Sequence, residues 1–423
     1  MLIALYLDNS PFKDIDVRGI GREPLGINGT AFAALVLIHY LTKMYVDIRF
    51  ILLSPYRCFL DNNKVQNIIV RDAKDAAQKA KESLVDILII NKYDIIKAHK
   101  TILELKLPTI TWGENFYYKQ EADLITNNEY VRANVFVGRQ QYDRYIDDMV
   151  SLKSTFIYNI MPSEYLPLRA PTCGGGGGGG VVAYMGALVP AKGFHILASV
   201  WRDVLKEMPD AKLKVLGSHR LYDRDAVLGR YGLAEKEYEE RFIPHLLNNN
   251  GKLLDSVRFY GVVGKEKYEI LKNAAVGIPN PSGISETFCY CAVEMQAMGV
   301  PVVSIADYGL LDTIKNRKTG LLYKGNIHEF KQKIVKLLKD KELNNKLGFN
   351  GRRFVRENFS AEKLVPQWYR LLQDVLNNRR PQFIWPRDQY FKHKKWKKLI
   401  VRFLYNCKII KYMSGLTYET CEY

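Results

Sequence analysis

Cysteine is scarce. The six in 423 residues (Cys58, Cys173, Cys289, Cys291, Cys407 and Cys421) form no Cys-x-x-Cys pair, which excludes a disulfide framework and a zinc array and makes a reducing cytosol the expected setting. No run of eighteen uninterrupted apolar residues occurs, and Met1 to Asp8 lacks the basic start and small-residue cleavage site of a signal peptide, so no bilayer-spanning segment is expected. A Gly-x-Ser-x-Gly elbow is missing too, which removes one common arrangement for a serine nucleophile. Acid is in deficit, with 62 Lys and Arg against 45 Asp and Glu and a net charge of +17. An anionic partner is therefore expected: a nucleotide, a nucleic acid or an acidic membrane surface. Residues 379–411 hold eleven Lys and Arg against one acid, Asp388, so ten of the seventeen charges sit in one short stretch.

What is present is globular: 47% hydrophobic, 25% charged and 12% aromatic residues, in a chain long enough for two domains. Met1 to Leu7 is an apolar run ended by Asp8-Asn9-Ser10-Pro11 and reads as a buried strand. A helix over 29–45 and a strand over 46–53 follow, then strand-like runs at 86–90, 108–112, 133–137 and 155–158. This alternation implies a parallel sheet covered by helices. It stops at Pro162 to Pro171 and restarts at Val181 with a second α/β series, including strands at 213–216, 257–260, 276–279 and 301–304 and helices at 192–207, 265–273 and 287–298. The expected fold class is α/β, two doubly wound Rossmann-like domains facing across a cleft, with ligands at the carboxyl ends of the strands. The expected boundaries are 1–170, a glycine hinge at 171–180, 181–376, and a basic aromatic tail at 377–423.

Gly174, Gly176 and Gly179 formally satisfy Gly-x-Gly-x-x-Gly, but the run precedes a strand instead of following one, and no Lys-Ser or Lys-Thr follows it. Neither a dinucleotide fingerprint nor a P-loop is supported; a flexible hinge is.

The segment Pro279-Asn-Pro-Ser282-Gly283-Ile-Ser-Glu286-Thr287-Phe288-Cys289-Tyr290-Cys-Ala-Val-Glu294 follows a strand and reads as a loop entering a helix. Eight positions on a helix are a little over two turns and about 80° round the axis, so Glu286 and Glu294 can lean toward one cleft. The backbone N–H groups of Thr287, Phe288, Cys289 and Tyr290 are expected to form the kind of helix N-terminus that binds phosphate.

This segment resembles the family 4 retaining glycosyltransferases of GT-B fold, whose signature is Glu, seven residues, Glu. Further stretches are similar in the same order: Tyr184-Met-Gly186 through Lys192-Gly193, Leu213 through Gly217-Ser218, Ser256 through Gly261, Gly299 through Val303, and Thr319-Gly320. Pro24-Leu-Gly26-Ile-Asn-Gly29-Thr30 resembles the family's acceptor-side glycine loop. The resemblance implies a catalytic pair, Glu286 at the donor sugar near the anomeric carbon and Lys192 at the diphosphate. It implies Glu294 on the ribose hydroxyls and the N–H groups at 288–290 on the β-phosphate. Gly186, Gly217, Ser218, Ser282, Gly283 and Thr287 complete the donor-binding set, and Gly29, Glu114 and Asn115 the acceptor side. The substrates implied are a nucleotide diphosphate sugar and a glycan or lipid-linked hydroxyl acceptor in surface polysaccharide or lipid-linked glycan assembly, with no metal and no cofactor.

This sequence departs from the family at three places. Ala187 stands where a second diphosphate cation is common, leaving Lys192 alone or helped by His219 or Arg220. Trp112-Gly-Glu114-Asn115 stands where an acceptor-side His is common. Cys289 replaces a frequent glycine.

Plainer readings compete at several residues. Glu286 alone could be a helix-start carboxylate, but Glu294 inside an apolar helix would be a costly unpaired charge without a partner. His195 and Cys291 read as packing residues. Asp14-Ile-Asp16 and Asp223-Arg-Asp225 look like turns, not metal ligands. Two other classes fit less well: a nucleotide-binding oxidoreductase or regulator, which lacks its glycine fingerprint after the first strand, and a nucleic-acid binder, which has charge and tail aromatics but no recognised module, so no nucleic-acid partner is expected. The tail from Arg379, with Lys392-His-Lys394-Lys395-Trp396-Lys397-Lys398 before Leu399 to Tyr405, reads as a surface-lying helix on the anionic inner face of the cell membrane; the alternative is packing on the N-terminal domain.

Overall fold

The computed structural model describes residues 1–13, 15–165, 180–384 and 395–409. Asp14, Gly174 to Gly179, and Lys392 and Lys394 of the basic cluster lie outside them. The chain divides into two compact units, the first formed by Met1–Ile20, Thr30–Ile160 and the segment from Ala361 onward, the second by Gly21–Gly29 and Met161–Ser360.

The first unit alternates strand and helix except between β2 and β3: β1 (Leu2–Tyr6), α1 (Gly29–Met44), β2 (Arg49–Ser54), β3 (Val65–Ile69), α2 (Ala73–Glu82), β4 (Ile87–Asn91), α3 (Ile95–Glu104), β5 (Thr109–Gly113), α4 (Lys119–Asn127), β6 (Val131–Phe136), α5 (Arg139–Arg144) and β7 (Ser154–Phe156). The seven strands are parallel in the order β3-β2-β1-β4-β5-β6-β7. Strands β1, β2 and β4 hold continuous apolar runs because both faces are covered: Ile3, Ala4, Leu52, Ile87 and Leu88 are fully buried. Edge strand β3, Val-Gln-Asn-Ile-Ile, is half exposed, and this polar character hides it from a hydrophobic-run reading.

The second unit repeats the plan: β8 (Val181–Met185), α6 (Phe194–Glu207), β9 (Lys212–Leu216), α7 (Lys236–Phe242), β10 (Val257–Phe259), α8 (Glu266–Lys272), β11 (Ala274–Ile278), α9 (Tyr290–Ala297), β12 (Val302–Ile305), α10 (Leu310–Thr313), β13 (Gly320–Tyr323), α11 (Ile327–Lys339) and α12 (Lys341–Phe359). Its parallel order is β10-β9-β8-β11-β12-β13. Val182, Tyr184, Trp201, Val215, Ile278 and Phe330 are among the residues of one buried core. In each sheet the strand order reverses beside the first strand, between β1 and β4 and between β8 and β11. Loops leaving such a switch point splay apart and leave a crevice for ligand.

The final helices correct the expected boundaries. Residues 361–376, assigned from sequence to the donor domain, form α13 (Ala361–Leu376) and belong to the first unit. Trp368 meets Trp112 edge-to-face at 4.9 Å, and Tyr369 stacks on Tyr45 at 3.8 Å. Such aromatic contacts add about 0.5–1.5 kcal/mol each beyond burial, so the helix goes where its aromatic face finds partners. The glycine segment Gly21–Gly29, assigned from sequence to the N-terminal domain, is counted with the second unit: Arg224 donates to the Gly26 carbonyl at 3.1 Å and Lys265 pairs with Glu23 at 3.5 Å. The last described helix, α14 (Lys395–Asn406), lies in the first unit. Arg402 donates to Ser151 Oγ at 2.8 Å and sits 3.8 Å over the Phe383 ring, while Ile400, Phe403 and Ile409 are exposed. No described helix is long and apolar enough to cross a membrane.

Candidate active site

The site in the second unit forms where the loops after β8 and β11 meet. Tyr184, buried at the end of β8, donates its hydroxyl to the Lys192 carbonyl at 3.0 Å, which fixes the short turn Pro190–Lys192. Gly193 then turns at φ +68°, and a Cβ there would lie 2.7 Å from the Ser282 nitrogen, so the two loops touch at a point only glycine allows. Ser282 completes the stitch by donating Oγ to the Ala191 carbonyl at 2.5 Å. Glycine is needed again at Gly217 (φ +128°), where a Cβ would fall 2.0 Å from the Gly186 oxygen. Gly186, Gly217 and the buried Ser218 are thereby brought together.

Asn280 organises the β11 loop and was not singled out from sequence. It is 1% exposed. Its Oδ1 accepts from the Ser282 N–H at 3.2 Å and the Gly283 N–H at 3.0 Å, and its Nδ2 donates to Glu286 Oε2 at 3.0 Å. The sequence signal available was Asn-Pro-Ser-Gly, a turn string whose first side chain bonds backbone two and three residues on. Tyr323 and Ser304 donate to the carbonyls of Pro281 and Asn280 at 2.5 Å each, tying the loop to β12 and β13.

Lys192 and Glu286 face each other at 2.8 Å across this junction. Burial alone would lower the Lys192 ammonium, but attraction to Glu286, with Tyr222 and Cys289 also near, raises it well above an ordinary lysine. Burial would conversely raise Glu286, yet the Lys192 charge, the Asn280 bond and the Cys289 thiol hold its carboxyl below the usual value. Both groups therefore remain charged at neutral pH. Lys192 is a point cation at a switch point, suited to an anionic ligand.

Glu294 belongs to a second ion pair. It accepts from Lys267 Nζ and, at 3.3 Å, from the Tyr268 hydroxyl, both on α8. These partners explain a carboxylate buried in an apolar helix. They were missed because 265–273 shows no more than a helical pattern. Cys291 senses both glutamates: burial first, then Glu294 and Glu286, pushes its thiol up to about 12. It is inert packing between two ion pairs.

The helix expected from Thr287 begins three residues later, at Tyr290. Glu286 accordingly precedes the helix, and the helical spacing used to align it with Glu294 does not hold. A Cβ on Gly309 would lie 2.2 Å from the Thr287 oxygen, and Gly309 N–H donates to the Glu286 carbonyl at 2.8 Å. This close backbone contact holds 286–289 out of the helix. The Tyr290 N–H donates back to the Phe288 carbonyl at 3.1 Å, so it is engaged, contrary to the expectation that it is open for phosphate. Thr287 and Phe288 are buried. Cys289, also buried, offers its thiol to Glu286.

Other expected residues fall as follows. Ala187 is buried, with its carbonyl accepting from Tyr184 at 3.2 Å. His219 faces Glu235 at 3.7 Å and Arg220 is exposed; the group beside Lys192 is Tyr222. His195 packs on Tyr238, hydrogen-bonded at 3.1 Å. Asp16 pairs with Arg18, and Asp223 accepts from the Asp225 N–H, local turn bonds in both cases. Gly29 lies beside Tyr290, where a Cβ would meet the ring at 3.5 Å. Glu114 and Asn115 stand at the end of β5 in the first unit and line a cavity there.

Two α/β units, each with its crevice at a switch point, have the fold of the GT-B glycosyltransferases. Residues 176–354 match the family model described as Glycosyl transferases group 1. The chain is similar to the capsular polysaccharide biosynthesis glycosyltransferase CapM of Staphylococcus aureus, 27% identical over 188 residues, 43% of each chain. The chain spans about half the length of the curated relatives it matches. Sucrose-phosphate synthase from Thermosynechococcus elongatus shares the fold at a TM-score of 0.70 and 18% identity, over 89% of this chain and 99% of that one. Anabaena HepE in complex with UDP-glucose does so at 0.65 and 15%, over 88% and 100%.

Proposed function

We propose that the chain is a retaining glycosyltransferase that moves a hexose from a nucleotide diphosphate sugar to a hydroxyl acceptor. The observation that carries this reading is the buried Lys192–Glu286 pair at the β8/β11 switch point, 2.8 Å apart. When the bond from the anomeric carbon to the β-phosphate breaks, negative charge grows on the phosphate, and Lys192 is a fixed countercharge for it. Glu286, held charged by Lys192 and Asn280, accepts from donor-sugar hydroxyls. Glu294, oriented by Lys267 and Tyr268, accepts from the ribose hydroxyls. Gly186, Gly217, Ser218, Ser282 and Gly283 lie in the loops after β8, β9 and β11 that would take the nucleotide. The match to the group 1 family over 176–354 supports the donor side, and the likeness to CapM supports a role in surface polysaccharide or lipid-linked glycan assembly.

Calorimetric titration with UDP and GDP, in the presence of EDTA, tests the donor site. Binding should survive chelation and fall in Lys192→Met; binding lost with EDTA and restored by Mg or Mn would refute a metal-independent site. Proton NMR of the product tests retention through the anomeric coupling, and an inverted product would refute it.

The reading extends to a membrane surface at α14. Its exposed Ile400 and Phe403, with Ile409 just beyond, combine with a strongly basic stretch in the manner of an interfacial helix, and a lipid-linked acceptor would be met there. Co-sedimentation with vesicles should require anionic lipid and weaken as salt rises. Equal partitioning to neutral vesicles would leave the helix as packing on the first unit.

A further inference from the structure

Two hydrogen-bond donors meet on one oxygen of Glu286. Lys192 Nζ reaches Oε2 at 2.8 Å and Asn280 Nδ2 reaches the same atom at 3.0 Å. They are held very differently. The lysine ends a flexible four-carbon stem, and in the proposed reaction its charge is also the countercharge of the phosphate. Asn280 is 1% exposed; its Oδ1 accepts the backbone N–H groups of Ser282 at 3.2 Å and Gly283 at 3.0 Å, and its carbonyl accepts from Ser304 Oγ at 2.5 Å. Backbone N–H groups only donate, so the side-chain atom facing them is the amide oxygen and the NH2 faces the carboxylate. Flipping the amide would set N–H against N–H and oxygen against oxygen, leaving buried groups unsatisfied on both sides. The amide is thus locked in one orientation. Glu286 needs such a hold, because it precedes α9 and no helical turn fixes its side chain.

We propose that Asn280 is a positioning residue: its locked N–H keeps the Glu286 carboxylate aimed at the reacting sugar while Lys192 serves the phosphate. The inference rests on the glycosyltransferase reading and goes beyond it, by dividing between two residues what the ion pair alone would leave to one lysine. The other ionisable groups around Glu286 are Tyr222 in the loop after β9, Cys289 before α9 and Cys291 on it. The two thiols are weak hydrogen-bond donors, and Tyr222 is 42% exposed, so the amide is the firmest neutral hold on the carboxylate.

Steady-state kinetics on the full chain, with a panel of UDP- and GDP-hexoses, tests this. Asn280→Asp keeps an oxygen for the Ser282 and Gly283 N–H groups and puts a second oxygen where the NH2 was. Two carboxyls that close share one proton. While the proton is bound, the introduced carboxyl donates to Glu286 as the amide does; once it leaves, repulsion turns Glu286 aside. The variant's kcat, divided by the wild-type value at the same pH, should therefore be highest near pH 5 and fall about tenfold or more by pH 9. A scaffolding role alone gives a ratio that does not change with pH, and that result overturns the inference. Asn280→Ser adds no charge and decides the matter if the first variant fails to fold. It should lower kcat about tenfold or more in the wild-type background and less than about threefold beside Glu286→Gln, because a residue that acts through Glu286 loses its effect once that carboxylate is gone. Equal losses in both backgrounds overturn the inference. If the wild-type protein turns over no nucleotide sugar, the glycosyltransferase reading itself fails. If it turns one over and the pH ratio is flat or the losses are equal, only the role of Asn280 is wrong.

Discussion

Replacing Lys192 by Met removes the ammonium 2.8 Å from Glu286 and leaves a buried carboxylate without its countercharge. Breaking such a pair costs about 3–5 kcal/mol. Here the side chains are 18% and 10% exposed, so about 3 kcal/mol is expected at pH 8. The loss must depend on pH. In the wild-type protein Glu286 lies below its ordinary value, so its stabilisation is present above the unfolded carboxyl pKa and is lost as pH falls through the folded value. In Lys192→Met burial dominates and raises Glu286, so the carboxyl destabilises the fold increasingly as pH rises through its new value. The difference between the two proteins should shrink toward pH 5. Urea unfolding at pH 5 and pH 8, fitted with a separate transition for each unit, measures it. Adding Glu286→Gln to Lys192→Met should restore stability to within about 1 kcal/mol, because two neutral groups need no countercharge. A loss below about 1 kcal/mol at pH 8, or the same loss at both pH values, would refute the view that these groups form a buried charge pair.

Glu294→Ala should raise the donor Michaelis constant about tenfold or more with a smaller effect on turnover, by losing a charged hydrogen bond worth about 1.5–3 kcal/mol. Lys267→Met should act in the same direction, since Lys267 holds that carboxylate; steady-state kinetics on both variants decides this. Glu114→Gln should flatten the fall in first-unit stability between about pH 5 and pH 8. The folded value of about 8 lies above an ordinary carboxyl, so that stability is present below the unfolded pKa and lost as pH rises, each pH unit being worth about 1.4 kcal/mol. Melting curves across that range check the slope.

The β1, β4, β8 and β11 strands were legible because buried parallel strands are near-continuous apolar runs. Features fixed by tertiary contact were not. The start of α9 is set by Gly309 lying against Thr287 and by Ser285 at φ +55°, a conformation that a side chain adopts at a cost of about 1–2 kcal/mol. Neither contact leaves a periodic trace. The assignment of α13 depends on Trp112 and Tyr45, more than 250 residues earlier. Asn280, Lys267 and Tyr268 are polar residues in a turn and on a short helix, and their roles appear only when Glu286 and Glu294 are placed beside them.

Turnover of a nucleotide-sugar panel tests the central claim most directly, with release of nucleoside diphosphate followed by mass spectrometry in wild-type protein and Glu286→Gln. At least one nucleotide sugar should be turned over by the wild-type protein. The variant should release its nucleotide at least tenfold more slowly while binding the same nucleoside diphosphate with similar affinity. No release from any nucleotide sugar, or equal release by the variant, would contradict the assignment of Glu286 to the reacting sugar.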